Sequence, residues 1–295
     1  MDLLVTAPML TQRNVSVLHL EPTTICQARC ALCARETDST FDKNTRVHLS
    51  MWKIFQVFDA NRITQLSKMF MCGNYGDPAA GRYTLNIYQT FRKLNPNIVL
   101  GMNTNGGIRS ALWWQELARI MHQPHDYVVF SIDGLEDTNS VYRRGVKWQL
   151  VMRNAKAFIN AGGRAHWDML VYGHNQHQVD ECEKLARNMG FSWFRAKVSR
   201  RGFTQTLQAP QGWVPMVNRP GRINCRALKE QSMYINAQGQ AAPCCWLDQD
   251  PTDTALVQAS WNTNQPHSIC SNTCSLQPQG STQFESQWQR EIAFE

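Results

Sequence analysis

The sequence predicts an α/β protein: a parallel sheet curved into a barrel-like wall, followed by a smaller cysteine-rich unit. Three observations carry that prediction. Short apolar runs alternate with longer segments of helical period, the pattern of right-handed βαβ units. Within the later runs an apolar set of residues alternates with a partly polar set, whereas strands buried on both faces of an open sheet read as almost continuously apolar. After about residue 205 the texture changes, with frequent Gln, Pro, Asn and Gly and a rising density of cysteine.

The elements follow in order. Strands are expected at 15–21, 68–73, 97–103, 126–133, 165–173 and 191–198, with helices around 50–60, 81–94, 109–121, 147–161 and 176–189. In 126–133, Val128, Phe130 and Ile132 share one face and Tyr127, Val129, Ser131 and Asp133 the other, because strand side chains alternate. In 165–173, Trp167, Met169 and Val171 oppose His166, Asp168, Leu170 and Tyr172; in 191–198, Phe194, Ala196 and Val198 oppose Trp193, Arg195 and Lys197. One apolar and one partly polar face suit a barrel with helices outside and a functional lumen inside. His166, Asp168, Arg195 and Lys197 are therefore candidate lumen residues that bind substrate or move a proton. The structural alternative is a mutually paired polar layer. Residues 1–204 are expected to form the barrel, and 205–295 a small unit held by metal rather than by a large core. Within the latter, "SMYINAQGQAAPCC" reads as a hairpin turning at Asn236–Gly239, and "STQFESQWQREIAFE" as a terminal helix.

Composition excludes several classes. A hydrophobic content of 43% argues against disorder. No run approaches the length of a membrane span, and "MDLLVTAPML" lacks the basic start of a secretory signal, so a cytoplasmic location is expected. The net charge of +7 has loose groups at Arg143, Arg144, Lys147 and Arg153 and at Lys197, Arg200 and Arg201. No basic run of the nucleic-acid type accompanies them, and the modest excess reads as solvated surface, with an anionic partner as the alternative.

The ten cysteines fall mainly into an opening and a closing cluster. In a reducing compartment, clustered thiols hold metal more often than they form disulfides. Cys26, Cys30 and Cys33 have the spacing C-x3-C-x2-C directly after a strand. Structural zinc takes four ligands; here the loop offers three, and His48 is the nearest downstream candidate. A disulfide would leave one thiol over. A cubane [4Fe–4S] cluster held by three thiolates would keep one iron open to another ligand.

At these residues, "LHLEPTTICQARCALC" resembles the opening of the radical S-adenosylmethionine (SAM) enzymes. The resemblance implies a partial (β/α)6 TIM-like barrel and a SAM-binding [4Fe–4S] cluster on Cys26, Cys30 and Cys33. It also implies reductive cleavage of SAM to a 5′-deoxyadenosyl radical that abstracts hydrogen from a substrate. The residue before the third cysteine is often aromatic in the family and lies near adenine; here it is Leu32. "CGNYGDPAA" resembles the family's Gly-Gly-Glu-Pro segment. It would place Gly73, Asn74, Gly76 and Asp77 at the SAM ammonium, with glycine permitting close backbone approach and Asp in place of Glu. "MNTNGG" resembles its Thr-Asn-Gly element, with Asn103 and Asn105 on one face. "SIDGLEDTNSVYRRG" resembles the fourth-strand segment of the SPASM and twitch branch, in which the residues matching Ser131 and Arg143 contact the SAM carboxylate. Asp133 belongs to the same site, or else caps the next helix.

The closing cluster extends the resemblance. Cys225-x13-Gly239-x4-Cys244 matches the start of a SPASM or twitch domain, and Cys270 and Cys274 follow as a C-x3-C pair. Four thiolates would saturate one auxiliary [4Fe–4S] cluster, serving as an electron conduit; zinc is the alternative, and Cys245 could replace Cys244. The cysteines are too few for a full SPASM domain, so the shorter twitch form is expected. Cys182 reads as a packing residue, while Cys72 could be either packing or site. The implied function is oxidative modification of a peptide or protein side chain, or of a small molecule. A nucleotide or nucleic-acid substrate, or a zinc-stabilised binding protein, are the competing readings. The first strand begins near residue 15, which leaves no N-terminal peptide-recognition domain and weighs against a ribosomally made peptide. Expected partners are an electron donor such as flavodoxin or ferredoxin and no membrane, with a monomer favoured.

Overall fold

Six strands run parallel and side by side in sequence order in the computed structural model, which describes residues 15–214, 216–218, 223, 225–248, 267–278 and 289–294. They are β1 (Val17–Leu20), β2 (Lys68–Met71), β3 (Val99–Thr104), β4 (Tyr127–Ser131), β5 (Ala165–Val171) and β6 (Trp193–Val198). Parallel neighbours need long crossovers. These are supplied by α1 (Met51–Val57), α2 (Thr84–Leu94), α3 (Ala111–Ile120), α4 (Trp148–Asn160) and α5 (Val179–Met189). Helix starts are marked by local chemistry: Ser50 and Ser110 accept from the backbone N–H three residues on, Lys53 and Trp113. Gly190 ends α5 at φ +87°, donating to the Ala186 and Arg187 carbonyls.

The expected strand faces are realised. Val128, Phe130, Trp167, Met169, Phe194 and Ala196 are fully buried on the outer face of the sheet. Phe130 packs between Trp114 of α3, Phe158 of α4 and Phe191. Cys182 is buried in α5 as a packing residue. The inner face opens with an aromatic floor at the first residues of the strands. His166 stacks on Tyr127 at 5.3 Å and 7° and lies 5.4 Å from Trp193, while Lys68 sits over Phe70 and Tyr127.

The sheet stays open, and C-terminal segments lie on both of its sides. β8 (Ser232–Ile235) pairs parallel with β1, and the expected hairpin joins it to β9 (Ala241–Ala242). On the other side β11 (Arg290–Ala293) pairs antiparallel with β6. β7 (Met216–Asn218) and β10 (Leu276–Pro278) form a separate ribbon. The expected terminal helix is thus corrected over 290–293, which is strand; 281–288 lie outside the described residues. The unpaired N–H and C=O groups along β6 recruit that strand. Arg290 anchors it on α5 through Asp180 and Glu183, and Phe294 lies under the Arg187 guanidinium at 4.4 Å. No helix among the described residues is long and apolar enough to cross a membrane.

Phe130→Ala removes the ring that three helical and loop aromatics surround. It should cost about 3–5 kcal/mol, seen in urea unfolding as a lower midpoint at unchanged slope.

Candidate active site

The carboxyl ends of the parallel strands open onto a cavity of about 710 Å³, the position at which such sheets bind ligands. Cys26, Cys30 and Cys33 line one side of it, Gly73, Gly76 and Asp77 the next, then Asn103 and Asn105, Ser131 and Arg143, and finally Asp168, Arg195 and Lys197. The sequence motifs from six separate strand ends therefore meet in one place. Leu32, Asn74, Asp133 and His166 do not line it.

The cysteine loop is fastened at both ends. Thr23 and Thr24 donate to the Val47 and Thr45 carbonyls at 2.9 and 2.8 Å. Arg35 reaches the carbonyls of Thr24, Tyr75 and Lys43. The Cys26 sulfur accepts from the Ala28 backbone N–H at 3.4 Å and from Asn105 Nδ2 at 3.6 Å, and the Cys33 thiol donates to the Asn74 carbonyl at 3.7 Å. Burial raises the Cys26 and Cys30 thiols above their ordinary values, with Arg143 pulling Cys30 back. Among the described residues no three His, Cys, Asp or Glu side chains converge on a single ion position. Three thiols on one loop fit a cubane, which gives each of three irons its own thiolate, and the cavity falls within the usual size range for bound cofactors.

The loop after β2 is held by two buried carboxylates. A Cβ on Gly76 would lie 1.9 Å from the Thr23 carbonyl oxygen, and one on Gly73 would lie 2.0 Å from the Gly76 oxygen. Glycine is needed here for the chain to pass its own backbone. Glu21 accepts from the N–H groups of Tyr75 and Gly76 at 2.7 and 3.1 Å. Asp77 accepts from Ala79 N, Thr104 Oγ1, Asn105 N and Asn105 Nδ2, all at 2.7–2.9 Å. The Asp77 side chain thus ties the second strand end to the third.

Arg143 donates through Nε to Asp133 Oδ2 at 2.6 Å. Asp133 is fully buried and also accepts from Leu170 N at 2.7 Å. It aims Arg143 from behind the wall and is not a helix cap; the following short helix, Asn139–Tyr142, begins after Thr138. Asp168 accepts from Arg195 at 2.9 and 2.6 Å and from Lys197 at 2.6 Å. Burial opposes its ionisation, but these two cations hold its carboxyl below the ordinary range. His166 is on the inner face as expected, but in its aromatic floor and not among the residues that line the cavity. Burial lowers it to about 4 and its Nε2 has no hydrogen-bond partner, so it is a neutral ring in a stack, below the residues that line the cavity.

Cys225, Cys244, Cys270 and Cys274 line a second, small cavity with Pro243, Leu247 and Ile269. Cys245 does not line it; its carbonyl accepts from Asn74 Nδ2 at 2.7 Å. Trp246 borders both cavities, and Cys72, whose thiol burial pushes up to about 12, borders the first.

A model of the Radical SAM superfamily matches residues 20–187, more than half of the chain. The chain belongs to the radical SAM superfamily. Its fold agrees: SuiB of Streptococcus suis is similar at a TM-score of 0.60 and 15% identity, over 81% of this chain and 62% of SuiB. The same protein bound to S-adenosylmethionine matches at 0.60 and 14%, over 82% and 64%. Bound to the precursor peptide SuiA, it matches at 0.60 and 15%, over 90% and 68%. In the first two of these matches the chain spans less than two thirds of SuiB's length. A search of curated proteins finds no match.

Several cavity residues of this radical SAM chain went unread in sequence, among them Tyr142, Trp213, Arg226 and Trp246. Glu21 was missed as well, although a lone acid between an apolar strand and a proline is a usable signal. Its second oxygen accepts from the Tyr234 hydroxyl of β8, and burial pushes its carboxyl up from 4.5 to about 7. The folded state therefore binds a proton that the unfolded state has released, and stability falls as pH rises from about 4.5 through about 7. Glu21→Gln should flatten that fall, measured as urea midpoints across this range.

Proposed function

We propose that this radical SAM protein reductively cleaves SAM and uses the resulting radical to oxidise a residue of a peptide or protein. What carries the reading is the meeting of Cys26, Cys30 and Cys33 with Ser131 and Arg143 in one cavity. When bound, a [4Fe–4S] cluster supplies the electron that cleaves SAM to a 5′-deoxyadenosyl radical. The three cysteines would hold that cluster. The backbone of Gly73–Gly76 would take the SAM ammonium, and Ser131 with Arg143, aimed by Asp133, would take its carboxylate. Tyr142 and the β5–β6 wall would exclude water and bind substrate. Residues 205–295 are read as a twitch domain beginning where the barrel ends. There Cys225, Cys244, Cys270 and Cys274 would hold an auxiliary cluster that accepts the substrate's electron. Flavodoxin or ferredoxin is the fitting class of donor. A peptide substrate is supported by the SuiA complex of SuiB.

Anaerobically reconstituted protein should hold about eight irons per chain and release 5′-deoxyadenosine from SAM and a strong reductant. Replacing Cys26, Cys30 and Cys33 together with Ala should abolish release. Replacing Cys270 and Cys274 should spare it while ending substrate turnover. Protein that binds only zinc and releases no nucleoside overturns the reading. Asn105→Leu removes a donor to the Cys26 sulfur. It should make the first cluster harder to reduce by on the order of tens of millivolts, read in a redox titration followed by electron paramagnetic resonance.

A further inference from the structure

We propose that the substrate segment entering the cavity is acidic, its carboxylates held by a cationic wall formed by β6 and the turn that follows it. The inference rests on the peptide-modifying reading above and names the class of peptide. Among the described residues the cavity is lined by the cations Arg143, Arg195, Lys197, Arg200, Arg201 and Arg226, against two carboxylates, Asp77 and Asp168. Some of this charge is already matched. Arg143 faces Asp133 at 2.6 Å and Arg226 faces Glu230 at 2.6 Å. Asp77 is enclosed by its four donors. Asp168 carries one charge and serves two cations, Arg195 and Lys197, each at 2.6 Å, which leaves one positive charge over, offset in part by Glu291 across the strand pair from Arg195. Arg200 and Arg201 add two more, and neither is paired with a carboxylate among the described residues; Arg201 donates to the Leu32 carbonyl at 3.1 Å and also bonds the Cys33 sulfur, so part of its charge serves the cluster loop.

The surplus is therefore gathered on one stretch, 195–201, that runs from within the lumen to its mouth. The cofactors of this cavity do not consume it: an oxidised cubane with three thiolates has one negative charge, SAM with its sulfonium, ammonium and carboxylate has one positive charge, and together they cancel. An auxiliary cubane on four thiolates would add two negative charges in the separate cavity of Cys225, Cys244, Cys270 and Cys274, where Cys274 feels Arg200, so the surplus that faces substrate is centred on Arg195 and Lys197. A positive wall inside a cavity of limited dielectric attracts an anion and penalises a cation. Arginine's planar fork suits carboxylates in particular. A nucleic acid would need a basic track extending across the surface, whereas this surplus is confined to one side of the cavity.

The test uses the full, anaerobically reconstituted chain with SAM present. A short fluorescent peptide of alternating Glu and Ser is compared with its Gln-for-Glu and Lys-for-Glu analogues and with a labelled RNA of similar length, by anisotropy at low and high salt. The Glu peptide should bind about tenfold more tightly than the Gln analogue, with a preference that shrinks as salt rises. Arg200→Glu, checked for iron content and circular dichroism, should erase that preference, and Lys197→Gln should reduce it. Equal binding of the Glu and Gln peptides, or tighter binding of the Lys peptide or the RNA, overturns the proposal. Release of 5′-deoxyadenosine without peptide reports separately on the radical SAM reading, so the two failures are distinguishable.

Discussion

The mouth of this barrel depends on one buried carboxylate. Asp77 gathers four donors from the end of its own loop and from the end of β3. In doing so it positions Asn105, whose amide reaches the sulfur of Cys26. Burial raises its carboxyl above the ordinary range, so the donors are what make the position tolerable. The neighbouring backbone has no slack either, since Gly76 passes against the Thr23 carbonyl. The cysteine loop, the loop after β2 and the end of β3 are consequently one rigid unit, the kind of pre-organisation a cofactor site requires.

A second carboxylate connects that unit to the C-terminal region. Glu21 takes two backbone donors from the loop after β2 and the hydroxyl of Tyr234 from β8. Tyr234 lies 3.4 Å from Asp248, which in turn accepts from Asn236 at 2.9 Å. Asn74 reaches across to the Cys245 carbonyl. These polar contacts bring the two cysteine groups into a single framework, with Trp246 bordering both cavities.

Much of this was legible in the sequence because it is written in local periods and spacings. The strand faces followed from alternation, and Val128, Phe130, Trp167 and Phe194 are buried as that rule requires. The cysteine spacing and the strand-end motifs named the cavity wall. What escaped reading was long-range. His166 shares the face of Asp168, but alternation does not report depth, and two residues along a strand separate the floor from the cavity. The end of the chain carries a helical composition, yet residues 290–293 answer to the open edge of β6, a demand made by tertiary structure. Glu21 is a single letter whose partners lie more than fifty positions away.

The parallel pairing of β8 with β1 has a bearing on how the chain is made. Glu21 and its hydroxyl donor are 213 positions apart, so β1 waits for a long further stretch of chain to be made before that flank is covered. Contacts of such span form slowly, and an uncovered strand flank invites association with other nascent chains. A barrel whose two flanks are covered by segments so distant in sequence stays exposed on both sides until those segments are made.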